Sequence, residues 1–174
     1  LRGHEGGVFA LAFSADSQTL ASAGQDTLVR LWGLNASSTP PVVLSGDGKP
    51  VISLAFSPDG ELLVSSGYGS GNLLRRIKSL YAPPYALLSD TTNVSFSADG
   101  KRMASARTGE NGVRFWDLTS SSQPVVISGY KSAVWSLAFS PDGETLASSG
   151  GHDKIIRLWD LTDLAIPPRN LQSP

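Results

Sequence analysis

His4, Ser22 and Asp26 are the residue types of a hydrolytic triad, in which a serine attacks, a histidine takes its proton and an aspartate orients the imidazole. With Trp32 close behind, they make hydrolysis one function class to weigh. Other residues invite other chemistries. The aspartates of Ser14-Ala15-Asp16-Ser17, Ser57-Pro58-Asp59-Gly60, Ser97-Ala98-Asp99-Gly100 and Ser140-Pro141-Asp142-Gly143 could suggest calcium. A calcium loop alternates several carboxylates, and each of these segments offers one. Proline presets the backbone at the second turn position and glycine accepts positive φ at the last, so tight hairpin turns are expected.

Gly67-Tyr68-Gly69-Ser70-Gly71 resembles a phosphate cradle, but a nucleotide fingerprint needs a strand before it and a helix after it. This stretch joins two strands and reads as a loosened hairpin holding one inserted residue. Arg75, Arg76 and Lys78 form the one dense basic cluster, without interleaved aromatics for stacking, so nucleic acid is not expected as a partner. His4 and His152 lie in separate repeats and supply no metal-ligand set. No cofactor is expected.

The elements that must position these residues are set by a repeat. VFALAFSADSQTLASAG from Val8, VISLAFSPDGELLVSSG from Val51, TNVSFSADGKRMASAR from Thr92 and VWSLAFSPDGETLASSG from Val134 are copies of one phrase. Their shared Phe13, Phe56, Phe96 and Phe139 recur about every 40 residues, the period of a β-propeller blade. Each copy continues into a second phrase: TLVRLWGL, NLLRRIKSL, GVRFWDL and KIIRLWDL. First strands are expected at 8–13, 51–56, 92–96 and 134–139, and second strands at 18–23, 61–66, 101–106 and 144–149. Third strands are expected at 28–34, 72–78, 112–118 and 154–161, and fourth strands near 41–45, 85–89, 124–128 and 169–172. VFALAF and VWSLAF carry apolar residues on both faces, which predicts strands covered on both sides. Arg30, Arg114 and Arg157 stand two residues before a tryptophan, and Arg75 two before Ile77, so each guanidinium can lie on its neighbour's ring or bond a hairpin aspartate.

The 174 residues are 40% hydrophobic and 17% charged, enough for one compact domain and without the composition of disorder. A net charge of −1 provides no field to draw in nucleic acid or an anionic membrane. The lack of cysteine excludes disulfides and suits a reducing, cytoplasmic setting. No run of 18 apolar residues exists for a span, and no basic-then-apolar leader precedes the first repeat. Leu1 falls within a repeat phrase, so the chain reads as a piece of something longer.

Trp116-Asp117, Trp159-Asp160 and Gly3-His4 are dipeptides through which the chain resembles the WD-repeat propellers. Departures are Trp32-Gly33, Ile77-Lys78 in place of Trp-Asp, and Gly46-Asp47, Ser89-Asp90 and Gly129-Tyr130 in place of Gly-His. The resemblance implies an all-β fold of four four-stranded antiparallel sheets within a seven- or eight-bladed propeller. The repeats run 1–39, 40–83, 84–122 and 123–166, with 167–174 opening a further strand. It also implies that His4, Ser22, Asp26 and Trp32 form a structural hydrogen-bonded chain within one blade. Ser148, Asp153 and Trp159 repeat it, with Tyr130 where histidine is expected and the network therefore incomplete.

Family members mostly lack catalysis and serve as platforms, so a non-catalytic scaffold or sensor module binding a protein or peptide is implied; a hydrolytic propeller is the alternative. Loops at one end are the family's usual contact face, which singles out Tyr68, Tyr130, Lys131 and His152, with Phe9 and Trp135 at the starts of first strands. Four blades leave an open arc. Leu1–His4 read as the end of a fourth strand, and the missing blades are expected from a longer parent or from a second copy across a two-fold axis. The near-identity of the FSPDG-type phrases resembles bacterial WD-repeat proteins, often fused to signalling domains such as kinases.

Overall fold

A computed structural model describes residues 1–35, 39–46, 48–67, 71–77, 85–89, 91–107, 112–120, 123–131, 133–150 and 153–172. Among the described residues sixteen strands follow one another. They are β1 Val8–Phe13, β2 Thr19–Gly24, β3 Leu28–Gly33, β4 Val42–Ser45, β5 Val51–Phe56, β6 Leu62–Gly67, β7 Gly71–Arg76, β8 Tyr85–Ser89, β9 Thr91–Phe96, β10 Arg102–Arg107, β11 Gly112–Asp117, β12 Val125–Ser128, β13 Val134–Phe139, β14 Thr145–Gly150, β15 Ile155–Asp160 and β16 Arg169–Gln172. Taken four at a time in chain order, they form four antiparallel sheets, each strand bonded to its sequence neighbour. No α-helix occurs among the described residues, and no helix is long and apolar enough to cross a membrane. Each sheet draws three strands from one repeat phrase and its fourth from the residues after it.

The turns explain why second strands begin one residue later than expected. In Ser57-Pro58-Asp59-Gly60 the Gly60 N–H closes on the Ser57 carbonyl at 2.9 Å, and the Glu61 N–H is taken by the Asp59 carboxylate at 2.9 Å. Gln18, Lys101 and Glu144 are held the same way by Asp16, Asp99 and Asp142. Each carboxylate also accepts the hydroxyl of the turn's first serine, and that bond, with the backbone N–H, holds Asp16, Asp99 and Asp142 below the usual carboxylate range. The last turn position is left-handed, at φ 69° in Gly60 and 74° in Gly143, whereas Ser17 is forced to 57°.

The chain divides into two compact units, Leu1–Thr91 and Thr92–Pro174. In the first, the period of two places Ala21, Ala23, Val29, Leu31 and Leu44 on one face of sheet 1, packed against Val51, Leu63, Leu54 and Phe56 of sheet 2. In the second, Ala104, Ala106, Val113 and Ile127 of sheet 3 meet Val134, Leu137, Leu146, Trp159 and Phe139 of sheet 4. Coverage of both faces does not hold for β1, where Val8, Phe9, Leu11 and Phe13 are exposed. Sheet 2 covers only the opposite face, the one carrying Ala10. Leu1–His4 do not form a strand either. They make a loop whose Gly3 carbonyl accepts from Arg30 rather than from a strand ladder.

Candidate functional site

The β2–β3 hairpin and the loop before β1 bring His4, Ser22, Asp26, Arg30 and Trp32 together on one face of sheet 1. Ser22 and Arg30 are cross-strand partners, as are Leu20 and Trp32, so serine, arginine and tryptophan share that face. His4 Nδ1 donates to Asp26 at 2.9 Å, and Nε2 accepts the Ser22 hydroxyl at 2.7 Å, a tautomer assigned from the network. Ser22 Oγ in turn accepts the Trp32 indole N–H at 2.8 Å. Arg30 donates to the same carboxylate at 2.6 Å; its 2.8 Å approach to His4 Nδ1 is that of two donors converging on one acceptor.

Burial raises the Asp26 carboxyl, but the bonds from His4 and Arg30 and from the Glu5 and Leu28 backbone outweigh it and hold it at about 2. The connectivity is that of a triad, yet the serine is buried and its oxygen is engaged on two sides. A nucleophile needs a free approach to its oxygen. The arrangement joins loop, second strand, hairpin and third strand, and satisfies every polar group it buries.

Sheet 4 solves the same problem with different atoms. The Tyr130 hydroxyl lies 2.6 Å from Ser148 Oγ, and the Trp159 indole N–H reaches both, at 2.7 and 3.0 Å. Tyr130 thus stands in the imidazole's place at the serine and tryptophan end. It does not bond Asp153, which takes its partner from Arg157 at 2.8 Å, while the guanidinium lies over the Tyr130 ring at 4.8 Å. Arg157 lowers the Asp153 carboxyl against the push of burial, and burial raises the Tyr130 phenol.

In sheet 3 the Trp116 indole donates to Ser105 at 3.2 Å, the counterpart of the Trp32–Ser22 bond. Sheet 2 corrects the sequence alignment. Leu63 is opposite Arg75, where Leu20 is opposite Trp32 and Leu146 opposite Trp159, so Arg75 and not Ile77 holds the tryptophan position. Ile77 instead matches Leu34 and Leu161, each bonding back to the residue before the second strand. The reason is hairpin length: β6 and β7 are separated by the same number of residues as β2 and β3, leaving no room for an insertion. The leucine two places after each tryptophan was the signal that could have shown this. Arg75 is buried, donates to the Ser45 carbonyl, and leaves Nε unpartnered among the described residues.

Of the residues proposed to meet a partner, Phe9 and Trp135 are 53% and 57% exposed, and Lys131 is exposed. Phe9 and Trp135 occupy the same place in their sheets, each at an irregularity in pairing between the first and second strands. A bulge leaves its extra residue outside the ladder and turns its side chain away. Tyr130 is not a surface anchor: its ring is buried against Trp159, with centroids 5.8 Å apart, because its hydroxyl is needed inside. Tyr68 and His152 lie outside the described residues. No group of three His, Cys, Asp or Glu among the described residues could hold a metal.

Four-stranded antiparallel meanders repeated along the chain, with a serine–indole bond inside sheets 1, 3 and 4, are blades of the β-propeller class. A family model described as WD domain, G-beta repeat matches residues 1–33, 38–73 and 121–160, more than half of the chain. The chain belongs to that family. The match passes over most of sheet 3, although Trp116-Asp117 lies there. No curated protein matches the chain at a significant level. Repeats of this family generally act as protein-interaction modules and are typically non-enzymatic.

Proposed function

We propose that this chain is a non-catalytic scaffold or sensor module of a larger protein, and that a protein or peptide partner docks through the bulged starts of its first strands. One contrast carries the reading: the polar residues that resemble catalytic machinery are buried and bonded to one another, while two large aromatic side chains at equivalent bulges face solvent. Aromatic anchors supply most of the binding energy at protein interfaces, and Trp135 with Lys131 nearby in sequence suits a partner that brings an apolar group and a carboxylate.

Selection of peptides from a random displayed library against the whole chain tests this. Phe9→Ala is expected to weaken the selected peptides that dock on the first unit, and Trp135→Ala those that dock on the second, by about tenfold or more each, the loss of one anchor. Unchanged affinity in both variants refutes the docking site. A serine-reactive phosphonate should leave Ser22 unlabelled, and stoichiometric labelling there would restore the hydrolytic alternative.

A further inference from the structure

Sheet 2 departs from the other three sheets at the positions where they build their polar network. In sheets 1, 3 and 4 the residue opposite Leu20, Met103 or Leu146 is a tryptophan, whose indole N–H bonds Ser22, Ser105 or Ser148. In sheet 2 the residue opposite Leu63 is Arg75, so Ser65 keeps its register and has no indole to meet it. The arginine of the set is missing as well. Arg30, Arg114 and Arg157 stand opposite Ser22, Ser105 and Ser148, whereas Leu73 stands opposite Ser65.

What sheet 2 buries instead is poorly bonded. Arg75 is 8% exposed and donates to the Ser45 carbonyl, but its Nε has no partner among the described residues. Burial lowers its pKa, since a guanidinium withdrawn from water loses hydration. Ser66 lies on the opposite face, because successive strand residues alternate, and its buried hydroxyl also lacks a partner among the described residues. Sheets 1 and 3 avoid that loss with Ala23 and Ala106 at the same place. No other described residue has a buried side-chain nitrogen or oxygen without a bond. The backbone is irregular in the same sheet: β7 and β8 pair with a shift between Asn72 and Leu73, whereas β3–β4, β11–β12 and β15–β16 pair without a break.

We infer that sheet 2 is a conformational switch element, which opens by itself while sheets 1, 3 and 4 stay folded. Each buried polar group without a partner raises the free energy of the closed form, and water satisfies it once the strands open. Opening is therefore least costly where two such atoms and an interrupted ladder coincide. Release of Leu54, Phe56 and Leu63 uncovers Ala21, Val29 and Leu44 of sheet 1, an apolar surface absent from the closed form. A ligand that binds only one of the two forms shifts their populations, which is the response a sensor module needs.

Hydrogen exchange of the whole chain, read by mass spectrometry peptide by peptide, tests this. Amides of β6 and β7 are expected to exchange about tenfold or more faster than those of β2, β3, β14 and β15, by an opening insensitive to low urea. Arg75→Trp returns an indole to the place opposite Leu63 and should slow β6 and β7 by about tenfold, while β14 and β15 keep their rates. Ser66→Ala removes the unpartnered hydroxyl and should slow them several-fold. Protection of β6 and β7 equal to that of β2 and β3 overturns the inference. So do unchanged rates in the folded variants, or a variant that slows all four sheets alike, since exchange would then report global unfolding. Circular dichroism checks that each variant is folded, and where Arg75→Trp is not, Ser66→Ala and Arg75→Met carry the same test.

Discussion

Sheets 1 and 4 hold the same serine and tryptophan in the same register but join them to the blade by different groups. In sheet 1 one imidazole reaches both ways, to Ser22 and to Asp26, and Arg30 reinforces the carboxylate. In sheet 4 a phenol reaches only one way, so the aspartate is handed to Arg157, and the guanidinium is returned to the ring through its face. Exchange of a base for a phenol would abolish triad chemistry. The blade keeps its geometry through the exchange, so what both sheets share is the need to satisfy buried polar groups.

Removing the two bridging groups is the strongest way to break this comparison. His4→Ala takes one donor from the Asp26 carboxylate, which keeps Arg30, and leaves the buried Ser22 hydroxyl without its acceptor, and should cost about 2 kcal/mol in urea unfolding. Tyr130→Phe keeps the ring under Arg157 and loses only the hydroxyl, for about 1 kcal/mol. Equal losses would mean that the imidazole bridges nothing that the phenol does not.

Acid sharpens the same contrast. Asp26 is held at about 2 in the folded chain, below its ordinary value near 3.8, so the unfolded chain binds the extra proton between those limits. Its stabilisation is present above about pH 4 and is lost as pH falls towards 2, a loss on the order of 1 kcal/mol after solvent screening. Asp26→Asn should flatten that part of the stability profile; an unchanged slope would remove Asp26 from the network.

The smallest expected effect compares the turns of the two sheets. Ser17 is held at φ 57° where Gly143 stands at 74°, so Ser17→Gly should stabilise by about 0.5–1 kcal/mol as left-handed strain is relieved. No gain in the urea midpoint would show that Ser17 pays nothing there.

Sheet order and the turns were legible because each depends on residues near in sequence and on a repeat that states them four times, and the Ser22–Trp32 pairing because the family resemblance implies it. The register of β7 was not, because Arg75 before Ile77 mimics arginine before tryptophan, and only the ladder opposite Leu63 distinguishes them. Tyr130 misled for a related reason: a tyrosine replacing a histidine in a loop reads as exposed until its hydroxyl is seen between Ser148 and Trp159.

The residues alone determined four antiparallel sheets, since alternation, turn chemistry and period are local properties that every copy repeats. Which apolar faces are covered was decided only by tertiary packing. Leu11 and Leu137 are the same residue in the same phrase, one open to water and one buried, because coverage depends on whether a neighbouring sheet lies against that face, and no local sequence encodes its neighbour.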